Sequence, residues 1–252
     1  MGFPGLISIF ISQSILPFVL RIIKHQSLFH PLKISSMKKT MLLSVLTAIS
    51  ILSEGQTLFG VFAGAQATSV KYTIQDVKQS AQYKQGFQMG AGVKVPFDNQ
   101  LCFTPAVFYS LKGYKVKFNR FSNPPDTAAV DNNTRIHTIE LAALLQFDFG
   151  NQSNHFFLKA GPSLDGQIAG KERFNLKNGG YVDRKMKFSF FHYGYVGINL
   201  LLQLGYETKG GLTIFGQYTH GVSSINNADG GPQINHRAFG ISIGQYFQRK
   251  KA

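Results

Sequence analysis

Between residues 138 and 149 the side chains alternate without a break. Ile139, Leu141, Ala143, Leu145, Phe147 and Phe149 share one parity; Thr138, Glu140, Ala142, Leu144, Gln146 and Asp148 share the other. Successive side chains of an extended chain point to opposite faces, so this stretch reads as a strand with two unlike surfaces. The pattern recurs. Residues 156–168 oppose Phe156, Leu158, Ala160, Leu164 and Ile168 to Lys159, Ser163, Asp165 and Gln167. Residues 101–112 oppose Leu101, Phe103, Val107, Tyr109 and Leu111 to Cys102, Thr104, Ser110 and Lys112. Residues 87–95 oppose Phe87, Met89, Ala91, Val93 and Val95 to Gln88, Gly90, Gly92 and Lys94. Weaker versions occupy 58–68, 190–206, 212–220 and 237–247. Eight segments result, several as long as a tilted strand needs to cross a bilayer.

The connections alternate in length. Residues 97–100, 150–154 and 207–211 are short and carry turn chemistry such as Asp98-Asn99 and Lys209-Gly210-Gly211. Residues 69–84, 115–133, 170–187 and 222–235 are long and polar. A soluble sandwich has no reason to segregate loop lengths to two ends. An up-and-down transmembrane barrel does, with short periplasmic turns and long external loops. The expected fold is therefore an all-β, eight-stranded antiparallel up-and-down barrel. Aromatic residues near segment ends (Phe97, Tyr109, Tyr114, Phe147, Phe149, Phe156, Tyr206, Tyr246 and Phe247) suit interfacial girdles.

Composition agrees. Only 15% of residues are charged, against about a quarter in an average globular chain. The single cysteine, Cys102, excludes an intramolecular disulfide and any Cys-rich zinc site. Net charge is +14; setting aside residues 1–55 leaves 21 bases against 11 acids, or +10. No dense basic stripe or nucleic-acid motif accompanies that charge, so nucleic acid is not an expected partner. The bases gather in the long connections, where anionic lipid or lipopolysaccharide is the expected neighbour.

From Met37 the chain carries a complete secretion signal: Lys38 and Lys39, an apolar run over 40–52, then Ser53 and Gly55 before Gln56. Three regions follow: an apolar extension over 1–36, a signal peptide over 37–55 and a barrel domain over 56–252. The extension's apolar stretch, Phe3 to Ile23, is interrupted by Pro4 and Pro17 and followed by Lys24. It reads either as a membrane anchor or, preferably, as sequence upstream of the true start at Met37.

The body resembles the PorT-like outer-membrane β-barrel family over residues 57–247. The likeness rests on Gly60 to Gly64, on the run Pro105-Ala106-Val107-Phe108-Tyr109-Ser110-Leu111-Lys112-Gly113, and on Ile139-Glu140-Leu141. Lys159-Ala160-Gly161-Pro162, Tyr193-Gly194 with Gly197, and Gln217-Tyr218-Thr219-His220-Gly221-Val222 complete it. Leu141-Ala142 stand where such barrels often place a proline. The resemblance implies a bacterial outer-membrane protein, and the family's namesake takes part in protein secretion and assembly. The barrel itself is expected to be monomeric, with a structural, binding or secretion- and assembly-accessory role.

Lys94, Glu140, Lys159 and Asp165 fall on the polar faces and are expected in the lumen, paired as an electrostatic plug rather than lining a pore. No cofactor, metal site or catalytic constellation is expected. His137 with Glu140, His192 with Ser189, and His220 with Ser223 are the available pairs, and none sits in a recognisable motif. His137 and Glu140 also differ in parity. Two other readings stand beside the membrane barrel: a soluble lipocalin-like carrier and a lipid-modifying membrane enzyme. A lipocalin keeps its apolar face inside, whereas here the charged residues share a face that cannot meet lipid. N-terminal sequencing of the exported protein is expected to begin at Gln56; a mature chain retaining residues before Met37 overturns the assigned signal.

Overall fold

A computed structural model of the chain describes residues 57–119, 128–150 and 152–247. The assigned extension (1–36), signal (37–55) and the last residues, 248–252, lie outside the described part. Ten strands form one sheet: β1 (Leu58–Ile74), β2 (Val77–Lys78), β3 (Ser80–Pro96), β4 (Leu101–Lys117), β5 (Ala129–Phe149), β6 (His155–Leu176), β7 (Tyr181–Lys185), β8 (Val196–Glu207), β9 (Leu212–Gly221) and β10 (Gln233–Phe247). Eight make the wall, in the order β1-β3-β4-β5-β6-β8-β9-β10, each antiparallel to the next. The ring closes by pairing β1 with β10 from Phe59↔Phe247 to Thr73↔Gln233. The remaining two are short: β2 caps the turn after β1, and β7 pairs with the far end of β6.

Every wall strand except β8 is longer than its alternating segment. β1 runs to Ile74 and β3 begins at Ser80, so the 69–84 connection is mostly strand, turned at Gln75 and Asp76 with positive φ. The sequence hides this because the pattern changes phase. Along β1 the outward-parity residues pass from Phe59, Val61, Ala63, Ala65 and Ala67 to the buried Ser69, then Lys71 and Thr73. The inward residues pass from Gln66 and Thr68 to Val70, Tyr72 and Ile74. β5 switches at His137 and β10 at Arg237. β6 instead steps past a bulge between Gln167 and Ala169 and then points Glu172 and Phe174 inward. Below the switch each strand has an apolar outside and a largely polar inside. Above it the arrangement inverts, because water replaces lipid around the wall.

The outward apolar run of β5, Ile139 to Phe149, is ten steps long. At about 3.4 Å per step and a tilt near 40° it covers roughly 26 Å, the height of a barrel's apolar band. Leu145 (55% exposed), Ile241 (68%) and Ile214 (55%) belong to this band; exposure on that scale is stable only against hydrocarbon. Phe97, Phe147, Phe149 and Phe156 stand outward at its short-turn end. Tyr114 and Tyr246 do not join a girdle, because parity turns both inward. The sixth wall strand starts at Val196, not Phe190; Phe190 and Phe191 are in the preceding loop, over 80% exposed.

Wall closure depends on glycines at places where aromatic rings meet. Phe62 lies between Gly90 and Gly244, and Phe108 is the next partner beyond Gly90. The Phe62 and Phe108 rings pack edge to face across it, 5.7 Å apart. A Cβ on Gly90 would stand 2.2 Å from Phe108 Cβ and 2.4 Å from the Val107 carbonyl oxygen. Gly90→Leu is therefore expected to abolish the compact, heat-modifiable species on unboiled gels, while Ala91→Leu, on the lipid face, retains it.

Candidate functional site

Polar residues of one parity are carried into a lumen too narrow for water to solvate them, so each must find a partner there. The packing is layered. Nearest the short turns, Lys94 bridges Glu207 (2.8 Å) and Asp148 (3.1 Å). His155 Nε2 lies 3.3 Å from Asp148, and the buried Cys102 thiol donates to the same carboxylate at 3.8 Å. The Lys159 ammonium sits 4.6 Å from the Phe157 ring centroid and 5.4 Å from that of Tyr246, and donates to the Tyr246 hydroxyl at 3.1 Å. Phe108, Ala142, Leu144 and Leu201 form an apolar layer with Phe62 packed against it. Beyond it Gln88, Gln203 and Gln217 exchange amide hydrogen bonds of 2.9–3.2 Å. Lys112 then bridges Glu140 (2.9 Å) and Asp165 (2.8 Å) with all three side chains at 2% exposure or less.

Lys94, Glu140, Lys159 and Asp165 are all buried inside the ring, but they do not form one cluster. Glu140 and Asp165 share Lys112; Lys94 serves a separate pair of carboxylates; Lys159 is held by aromatic rings. Lys112, Asp148 and Glu207 complete these groups beyond the four expected residues. Parity alone places the first two on the lumen face, whereas Glu207 falls in the short 207–211 connection of the sequence pattern. Counted together, three lysines face four carboxylates, with His155 beside two of them.

Above the triad an apolar core closes the external end: Val70, Tyr72, Ile74, Tyr114, Val116, Ile136, Met186, Ile225 and Ile234. Over it Glu172 is fixed by Arg184 Nε (2.8 Å), the Tyr193 hydroxyl (2.5 Å) and Asn132 Nδ2 (3.4 Å), joining β5, β6, β7 and the loop before β8. Burial pushes the Tyr193 hydroxyl well above its ordinary pKa, so it remains a donor. A cavity of about 430 Å³ opens beside it, lined by Tyr72, Glu172, Arg184, Lys187, His192 and Tyr193. Inside the wall, the cavity around Phe62, Phe108, Lys159, Phe215 and Tyr246 measures only about 30 Å³, room for one or two waters.

The histidine pairs separate in the same frame. His137 points outward to the Tyr109 hydroxyl, away from Glu140. His220 meets Tyr218, while Ser223 accepts the Ile198 N–H. Ser189 and His192 do meet, at 3.0 Å, in an exposed turn. Among the described residues no carboxylate pairs with His192, and no group of three His, Cys, Asp or Glu side chains is placed to hold a metal.

A closed ring with an apolar outside, a packed polar inside and a water-facing rim defines a transmembrane β-barrel. The lipocalin alternative, which needs the opposite polarity, is set aside. The chain belongs to the outer membrane protein beta-barrel domain family, whose model matches residues 53–227. No curated protein sequence matches it. Similar solved structures include Ail, the attachment invasion locus protein of Yersinia pestis (14% identity, 76% of this chain and 99% of that chain, TM-score 0.41). OprG of Pseudomonas aeruginosa is similar at 12% identity over 77% and 98%, with a TM-score of 0.42. Neisserial surface protein A is similar at 14% over 75% and 97%, with a TM-score of 0.39.

Lys112→Ala leaves two buried carboxylates without their shared cation, a loss of about 3–5 kcal/mol. Denaturant unfolding of the refolded barrel in detergent is expected to show it. The triple change Lys112→Met, Glu140→Gln, Asp165→Asn is expected to recover most of the loss.

Proposed function

We propose that this protein is a monomeric, non-conducting outer-membrane barrel that serves a structural, binding or assembly-accessory role through its surfaces rather than its lumen. The observation that carries this reading is the filled interior. Ion-paired, aromatic and amide layers succeed one another, and the apolar core from Val70 to Ile234 lies above them. A conducting path would have to break salt bridges whose members are almost fully buried, at a cost of several kcal/mol each. Partners, on this reading, are the surrounding lipid and lipopolysaccharide and other envelope proteins.

The PorT-like resemblance, carried by Pro105 to Gly113 and Gln217 to Val222, supports an accessory role in secretion or assembly. The Met37 signal supports export by the general secretory route and a mature chain from residue 56. A lipid-modifying activity finds less support: among the described residues, no carboxylate pairs with His192 to orient its imidazole toward Ser189.

Reconstitution into planar bilayers tests the proposal. No steady conductance is expected from the wild-type barrel. Lys112→Ala combined with Lys94→Ala is expected to produce intermittent openings, and stable channels from the wild type would overturn the sealed-lumen reading.

A further inference from the structure

The cations of the external rim are not scattered. On the outward face, Gly113 of β4 is the register partner of Arg135 of β5, Arg135 of Lys171 of β6, and Lys171 of Lys185 of β7. Three cations thus stand directly opposite one another on adjacent strands. The row reaches further, because Lys84 of β3 lies across Gly113, where an added Cβ would meet Lys84 Cδ at 2.8 Å. Like charges directly opposite in a sheet destabilise it. This row therefore costs stability unless something anionic lies over it.

The protein does not supply that anion. Asp183 is claimed by Arg173 through two hydrogen bonds of 2.6 and 2.7 Å, and Asp131 by Asn175. Glu172 points inward and is held by Arg184 and Tyr193. Among the described residues, no carboxylate lies within ion-pair distance of Lys84, Arg135, Lys171 or Lys185. A groove of about 460 Å³ follows the row, lined by Lys84, Asn133, Arg135, Lys171, Arg173 and Lys185, with the two paired acids at its margin. Lys115 and Lys117 stand outward on the neighbouring β4. The opposite wall differs: there Lys71 and Arg237 sit in separate rows, opposite Asn235 and Ser69.

Position identifies the occupant. Lys84 is three residues from Phe87 and next to Tyr83, which packs on Phe239 at the upper edge of the apolar band. From there the row crosses four strand spacings, about 19 Å. A strand tilt near 40° inclines it, so it also climbs roughly 12 Å away from the hydrocarbon. A lipid headgroup that bears several anions and projects outward from the acyl chains matches that path; a compact single phosphate does not. We infer that the Lys84–Arg135–Lys171–Lys185 row is a binding site for a polyanionic, phosphorylated glycolipid of the outer leaflet, of the lipopolysaccharide class. The guanidinium of Arg135 suits bidentate contact with a phosphate, flanked by lysines as point charges.

This inference rests on the chain being a lipid-embedded barrel, but not on its lumen being sealed. The test uses the full-length barrel refolded in a non-ionic detergent, with heat-modifiable migration checked first. Failure of that check counts against the barrel reading itself and is scored separately. Binding of purified lipopolysaccharide in micelles is then compared for wild type, Arg135→Gln/Lys171→Gln/Lys185→Gln, and Lys71→Gln/Arg237→Gln. The expected result is at least tenfold weaker binding by the first variant alone, and a similar loss when wild type meets dephosphorylated lipopolysaccharide. Equal weakening in both variants would reduce the effect to net charge and overturn the site. Tighter binding of soluble polyphosphate or sulfated polysaccharide than of the lipid would overturn the lipid assignment.

Discussion

Every feature of this protein follows from one demand: a backbone in hydrocarbon must satisfy its own hydrogen bonds. An open sheet would leave two edges unpaired in a medium that offers no donor or acceptor. The ladder between β1 and β10 removes those edges, running unbroken through fifteen residue pairs from Phe59 to Thr73. Closure then dictates the interior. Eight strands leave a lumen about as wide as two facing side chains, so whatever parity sends inward must pack. Polar residues sent there become partners by necessity, and the carboxylates find lysines from strands far apart in sequence.

The layers inside the ring show how that necessity is met with few residue types. Lys112 and Lys94 each serve two carboxylates, whereas Lys159 is kept by rings and a hydroxyl. Glycines make room where rings face each other, as at Gly90. Such an interior favours a single register: shifting one strand by one residue would send Leu141 or Leu145 inward and expose Glu140 to lipid. The ion pairs thus fix which residues face in, more than they contribute net stability.

Much of this was legible in the sequence because barrel strands keep strict parity within the apolar band. Alternation located all eight wall strands, and the rhythm of connections gave their order. Lumen placement of Lys94, Glu140, Lys159 and Asp165 followed from parity alone. Pairing did not, because which lysine meets which carboxylate depends on register across several strands; Lys112 was visible by parity yet carried no mark of its role. The rim reads as loop in the sequence for a physical reason. Where the surrounding medium changes from lipid to water, the pattern reverses phase, and Ser69 to Ile74 loses the contrast by which a strand was recognised. Tyr114, fully buried in the rim core, resembles an interfacial aromatic in the sequence for the same reason.

That reversal also has a thermal consequence. The band below Ser69, His137 and Arg237 is held by hydrogen bonding and packing in a medium that exerts no hydrophobic force on it. The rim above is closed by Tyr72, Tyr114, Ile136 and Ile234, buried away from water like the core of a soluble domain. Opening the rim alone would expose those side chains to water and raise the heat capacity, so its stability curves with temperature and weakens on cooling. The band has no such dependence. One continuous set of strands therefore carries two temperature responses, and the cold-sensitive part is the external end.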